Sequence, residues 1–280
     1  MKTSVIGLGL IGGSFALALK EAGLCTQVCG ADMSEAHCRK ALELGLVEQT
    51  AAWEDAIADA ELIVLATPVD TIPVLAVQIL NRIGDRQVVM DMGSIKENLC
   101  EVIARHPKRG RFVATHPMWG TEHSGPEAAC RGAFRGRTAV ICEEARSDAD
   151  ALATVRNIYT ALGMTVISMN AADHDLHAAY VSHISHISSF ALALTVLEKE
   201  REEAHIFDLA GGGFESTVRL AKSSPATWAP IFTGNKDHVL DVLREHIHQL
   251  QALQRMLERG DREGLISAME RANTIRRILP

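Results

Sequence analysis

The chain opens "MKTSVIGLGLIGGSFALALKEAG", residues 1–23, and this stretch has two readings. One lysine, a long apolar run and then small residues is the order of a secretory leader. The same residues also spell a strand, a tight turn and a helix, and the glycines decide between the two. Gly7, Gly9 and Gly12 give G-x-G-x-x-G directly after the β-branched "TSVI" (3–6), and "SFALALKEA" (14–22) reads as a helix. In a dinucleotide-binding unit the first glycine permits the turn and the second lets the backbone approach a pyrophosphate. The third lets helix and strand pack closely. The helix N-terminus then faces the phosphates, with Leu10 and Ile11 of the loop on the cofactor side. A cleaved leader has no need of this register. "TQVCGAD" (26–32) supplies a second strand that ends in Asp32. That is about 20 residues past the loop, where an acid meets the ribose hydroxyls.

The rest of the chain narrows the class. Its 280 residues suffice for one large domain or two ordinary ones, and 47% hydrophobic content is ample for a core. The net charge of −7, with acids and bases interspersed, argues against a nucleic-acid partner, which usually meets a basic face. No apolar run reads as long and pure enough to span a bilayer, so no membrane partner is expected. Six cysteines (25, 29, 38, 100, 130 and 142) show neither C-x-x-C nor clustered zinc spacing. Reduced thiols in a cytoplasmic protein without leader or tail are the expectation.

Strand and helix patterns alternate through the first part of the chain. "ELIVLATP", "RQVVMDMGS", "RFVATHPM", "TAVICEE" and "MTVISM" read as strands, interleaved with helices such as "TIPVLAVQIL" and "DADALATVRNIYTAL". This predicts an α/β Rossmann-type domain with a doubly wound, largely parallel sheet over 1–169. From 170 to 280 strands disappear and an all-helical domain is expected. The helix around 178–197 is apolar on most faces, as buried or subunit-facing helices are. Val239, Leu243, Ile247, Leu250 and Leu257 recur at helical spacing further on. The cleft between the two domains, beyond the carboxyl ends of the strands, is where a reaction belongs.

Three strand ends face that cleft: "ATP" (66–68), with Thr67 and Pro68 beside the cofactor, "DMGS" (91–94), and "THPMWGTEHSG" (115–125). His116 is a natural proton acceptor near a hydride-transfer site, because an imidazole titrates near working pH. Ser94 is placed to orient it. A turn histidine before Pro117 and a helix-capping Ser94 remain the structural alternative. His183 and His186 lie three apart on one helix face and suit donors to an anionic substrate. They lack H-E-x-x-H and a third ligand, so no metal is expected. Arg219, in an apolar neighbourhood, suits bidentate carboxylate binding, or an ordinary salt bridge.

These residues also fall into an ordered set of motifs. "GLGLIGGS", "DMGSIK", "HPMWGTEHSG", "ADHD…VSHISH" and "GGGFESTVRLAKSSPATW" occur in sequence across nearly the whole chain. In this the chain resembles the prephenate/arogenate (cyclohexadienyl) dehydrogenases of tyrosine biosynthesis. The resemblance implies NAD as cofactor, a dimer through the helical domain, and oxidative decarboxylation of a cyclohexadiene substrate, prephenate or arogenate. It places the catalytic histidine on His116 and its orienting serine on Ser94. The substrate-side histidine falls on His186 and the carboxylate-binding arginine on Arg219. Thr121 and Glu122 fall at the pocket mouth, and Trp228 where a neighbouring subunit contributes. Two positions depart from the family pattern. Ser185 replaces a frequent proline before His186, and Glu215 stands where relatives often carry lysine. An acid facing the pocket there would favour arogenate, with its amine, over prephenate. Rival readings are a β-hydroxyacid dehydrogenase-like reductase, whose lysine–asparagine pattern is missing, and a non-enzymatic dinucleotide sensor, whose partner module is missing.

Overall fold

The structure, a computed structural model, describes residues 1–203 and 205–278. Eight strands form one sheet in the order β3-β2-β1-β4-β5-β6-β7-β8. They are β1 (Lys2–Ile6), β2 (Gln27–Ala31), β3 (Gln49–Thr50), β4 (Leu62–Leu65), β5 (Val88–Asp91), β6 (Phe112–Pro117), β7 (Thr138–Cys142) and β8 (Thr165–Met169). Every neighbouring pair is parallel except β6–β7, where His116 pairs with Val140 in antiparallel register. Chain order reverses between β1 and β4, which opens the crevice where doubly wound sheets hold ligands.

The central strands read "LIVL" and "VVMD", and every residue of both is buried. A sheet covered on both faces needs such unbroken apolar runs. One face packs Phe15, Leu19, Phe134 and Tyr159 beneath α1 (Leu10–Glu21) and α6 (Ala149–Ala161). The other packs Ile63, Leu65, Ile79 and Phe112 beneath α4 (Ile72–Arg82) and α5 (Glu97–Ile103). Two short helices, α2 (Glu35–Glu43) and α3 (Trp53–Ala56), flank β3. β3 has only two residues and α3 four, too short for any periodicity to reveal.

Helices follow β8. α7 (Ala171–Ala178) runs through a π turn (Ala179–His183) into α8 (Ile184–Glu200). α9 (Gly212–Val218), α10 (Pro225–Gly234), α11 (Lys236–Glu258) and α12 (Arg262–Asn273) complete the described chain. Length and composition make the run Ala171–Glu200 able to cross a bilayer, contrary to the expectation that no segment is. Its polar residues, however, are committed to the site described below. In one chain this layer buries little: Ala179, Val239 and Val242 form its small core. Leu194, Leu197, Leu250, Leu257, Ile266 and Met269 stay exposed. The periodic face of α11 is thus mostly open in the single chain, not buried within it.

Candidate active site

The glycine loop joins β1 to α1. Gly7 has φ +98°, and a Cβ there would lie 2.4 Å from the Ala66 carbonyl oxygen. A Cβ on Gly12 would lie 1.9 Å from the Gly7 carbonyl oxygen, so both positions exclude any side chain. A Cβ on Gly9 would meet nothing within 4 Å: this glycine faces open space, as approach to a pyrophosphate requires. The first internal bond of α1 is donated by the Gly13 N–H to the Gly9 carbonyl at 2.9 Å. The N–H groups of Leu10, Ile11 and Gly12 precede it at the positive end of the helix, and no acid occupies the first turn. Asp32 closes the far side. Its Oδ2 accepts the Leu8 N–H and its Oδ1 the Ser34 N–H, each at 2.8 Å. His37 Nδ1 stands 3.4 Å from the same carboxylate. Thr67, at the end of β4, accepts a hydrogen bond from the Thr71 hydroxyl at 2.9 Å, and Pro68 beside it is exposed. These residues fit a dinucleotide.

Beyond the loop, the end of β5 is tied to the start of α5 by a fully buried ion pair, Asp91 with Lys96. Asp91 also accepts the Thr115 N–H at 3.0 Å and the Gly93 N–H at 2.9 Å. The Thr115 hydroxyl lies between the Asp91 carbonyl and the Tyr159 hydroxyl. Removing one partner of such a pair strands the other charge in a dry interior. Asp91, so held by Lys96, anchors Thr115 and with it the next residue, His116.

His116 is the head of a relay. Its Nδ1 lies 2.9 Å from His174 Nε2, and His174 Nδ1 lies 2.7 Å from Asp175 Oδ1. The Asp175 carboxylate also accepts the N–H groups of Lys96 (2.7 Å) and Glu97 (2.9 Å) at the start of α5. A carboxylate takes hydrogen bonds and cannot give them, so His174 carries its proton on Nδ1. His174 Nε2 is then an acceptor, His116 donates from Nδ1, and His116 Nε2 is left with a free lone pair. Burial, then the neighbouring His174, Lys96 and His183, push the His116 pKa well below its ordinary 6.5. The imidazole is neutral at pH 7 for that reason, not because it titrates near working pH.

Among the described residues the Ser94 hydroxyl makes no hydrogen bond to His116 and caps no helix; His174 occupies the orienting position. His174, Asp175, Asp91 and Lys96 were not singled out from sequence. "ADHD" and "DMGSIK" contained them, but hydrogen bonds across 58 and 79 residues leave no local pattern.

The helical layer supplies the other wall. The π turn adds one residue to a turn of helix, a device common at functional sites, and His183 at its end is buried. His186 Nδ1 donates to the Ser182 carbonyl at 3.1 Å, so neutral His186 presents an acceptor rather than the expected donor. Ser185 leaves the helix unbroken and reaches the Val181 carbonyl at 3.5 Å. Trp228 stacks on His186 of its own chain, rings 3.4 Å apart and 23° from parallel. Arg219 donates to Glu122 at 2.9 Å across the cleft. Its segment is tied to α8 by Ser189, which donates to the Thr217 carbonyl and accepts the Ala221 N–H, each at 3.0 Å. Thr121 lies exposed beside Glu122 at the mouth. Glu215 is exposed and lies 3.8 Å from Lys222, which offsets its charge.

Comparison with known proteins meets this geometry. Residues 15–168 match the model of the prephenate dehydrogenase nucleotide-binding domain, and residues 170–271 that of the prephenate dehydrogenase dimerization domain. The chain belongs to the prephenate dehydrogenase family. It is 30% identical to the Bacillus subtilis prephenate dehydrogenase, covering all of this chain and 77% of that one. It is 28% identical to the Zymomonas mobilis cyclohexadienyl dehydrogenase over 98% and 94% of the two chains. Among solved structures, the prephenate dehydrogenase of A. aeolicus, in complex with hydroxyphenyl propionate and NAD+, superposes with a TM-score of 0.89. That likeness covers 100% of this chain and 98% of the other at 27% identity. The family's enzymes are oxidoreductases, and the mixed sheet followed by helices is their architecture.

Burial has a consequence for stability. Desolvation pulls the His183 pKa from 6.5 down to about 4, outweighing the Asp175 charge that raises it. His186 is lowered too, first by burial. The unfolded chain takes up these protons near pH 6.5, and the folded chain only at lower pH, near 4 for His183. The stabilisation is therefore full above 6.5 and is lost as pH falls toward 4; His183 alone contributes on the order of 3 kcal/mol. Melting temperature is expected to drop already between pH 7 and 5, before carboxylates titrate. A flat profile in thermal denaturation across that window would contradict the assignment.

Proposed function

We propose that the chain catalyses NAD-dependent oxidative decarboxylation of prephenate to 4-hydroxyphenylpyruvate in tyrosine biosynthesis. The His116–His174–Asp175 relay carries this reading, since it leaves a neutral, oriented base at the strand ends beside the dinucleotide loop. NAD, when bound, supplies the hydride acceptor. His116 Nε2 accepts the hydrogen bond of the ring 4-hydroxyl, and takes its proton as the carbon-bound hydrogen departs with its electron pair. The ring–carboxylate bond then breaks and carbon dioxide leaves. The released pair makes the ring aromatic, and the phenolic oxygen recovers its proton from His116. Arg219 exchanges Glu122 for a substrate carboxylate and holds the ring in line, where positioning contributes most. Gly7, Gly9, Leu10, Ile11, Gly12, Thr67 and Pro68 frame the cofactor. The domains divide at 169/170. Six free thiols accord with a cytoplasmic setting.

Two expectations follow from the same residues. Asp32 presents a carboxylate where a 2′-phosphate would sit, and like charge at short range is costly. NADH formation with NAD should therefore far exceed NADPH formation with NADP at equal concentration. Equal catalytic efficiency would overturn the assignment. The exposed apolar faces of α8, α11 and α12 are too extensive for a lone chain. Sedimentation should show a homodimer built on the helical layer, and an active monomer at assay concentration would exclude it. The substrate is tested by offering prephenate and arogenate separately with NAD. Turnover of prephenate is expected; turnover of arogenate alone would reassign the substrate.

A further inference from the structure

Asn235 sits where two parts of the site meet. It lies between α10 and α11, is 4% exposed, and points its amide nitrogen at two acceptors. Nδ2 is 2.7 Å from the Asp175 carbonyl oxygen and 3.2 Å from His183 Nδ1. A carboxamide nitrogen has two hydrogens and accepts nothing, whereas its oxygen would repel the Asp175 carbonyl. The orientation of the amide is therefore determined. One hydrogen goes to Asp175 and the other to His183 Nδ1, which must be the bare nitrogen of that ring. His183 is neutral, so its proton is on Nε2. That atom has no protein partner among the described residues and is not one of the sealed polar atoms. The edges of Trp228 and Phe232 confine the ring, with centroids 6.0 and 6.5 Å away.

We propose that Asn235 is a positioning residue: by donating to both the Asp175 carbonyl and His183 Nδ1, it makes His183 an Nε2–H donor for a substrate carboxylate. The polarity is opposite to that of His116, whose Nε2 accepts. One amide thus ties the residue that ends the base relay to the residue that donates. His186 cannot substitute while neutral, because its N–H is spent on Ser182. The donor role rests on the substrate reading above; the tautomer does not.

The test is nitrogen-15 NMR of the full chain labelled at histidine, at pH 7 without substrate, with His183 assigned by its loss in His183→Gln. The wild type should show the Nε2-protonated tautomer. In Asn235→Asp, a near-isosteric change that places an acceptor against Nδ1, the ring should move to the Nδ1-protonated or doubly protonated form. KM for prephenate should rise about tenfold, the worth of one hydrogen bond to a charged group, with KM for NAD unchanged. Asn235→Ser, which keeps a small donor, should restore part of the loss. An Nδ1-protonated wild type, or a tautomer unmoved by Asn235→Asp, would overturn the proposal without reference to any substrate. Should Asn235→Asp fail to fold, the wild-type tautomer and Asn235→Ser still decide. A shifted tautomer with unchanged KM would remove the donor role. A wild type inactive on prephenate would instead count against the substrate.

Discussion

His116→Asn should lower kcat by roughly 10²–10⁴-fold, the usual worth of a lost general base, while KM for the substrate changes little. The interaction of His116 with the 4-hydroxyl strengthens only as the hydride departs, so its loss falls on the transition state. Asparagine can still fill the space and donate toward His174 Nε2, but it cannot accept a proton. In the wild type, kcat should fall as pH drops through the depressed pKa of His116, well below 6.5. That acid limb should be gone in the variant. Affinity for NAD should be unchanged, since His116 is no part of the glycine loop. A variant with near-normal kcat and an intact acid limb would make the histidine structural.

Asp175→Asn should cost a comparable factor through tautomers alone. The carboxylate holds the proton on His174 Nδ1 at 2.7 Å. An amide there can present its own N–H to His174, which then carries its proton on Nε2, facing His116. His116 must answer with a bare Nδ1 and a protonated Nε2, and the base is lost. Replacing the aspartate of a comparable aspartate–histidine pair in serine proteases drops kcat by about 10⁴ for this reason. Some stability is lost as well, because the Lys96 and Glu97 N–H groups together need two acceptor oxygens. One unsatisfied buried donor costs about 1–3 kcal/mol. Kinetics should therefore be measured below the melting transition of the variant. A folded Asp175→Asn enzyme with normal kcat would show that the relay does not set the protonation of His116.

The sequence made the dinucleotide loop legible because its constraint is local. Gly7 and Gly12 are dictated by contacts with Ala66 and with each other, all within one strand–turn–helix unit and its neighbour strand. The buried strands were legible because a sheet covered on both faces needs unbroken apolar runs. β3 was not, having two residues, and neither was the antiparallel turn of β7 against β6, since strand patterns carry no direction. His116, the base proposed above, could be named, but not its partner His174. Ser94 was the nearer candidate along the chain, whereas His174 comes from the other end of the sheet and from the helical layer. His186 was read as a donor, whereas its Nδ1–H goes to Ser182 and leaves Nε2 to face outward as an acceptor. A donor and an acceptor imidazole are the same letter in a sequence; only Ser182 and Asn235, in place, tell them apart.

The central claim is that hydride loss, proton acceptance by His116 and decarboxylation all belong to one turnover of prephenate. The most direct measurement incubates the purified chain with prephenate and NAD, and counts NADH, carbon dioxide and 4-hydroxyphenylpyruvate together. The three should appear in equal amounts and at one rate, and all three should slow together in His116→Asn. NADH without carbon dioxide, carbon dioxide without NADH, or no turnover of prephenate at all would contradict it.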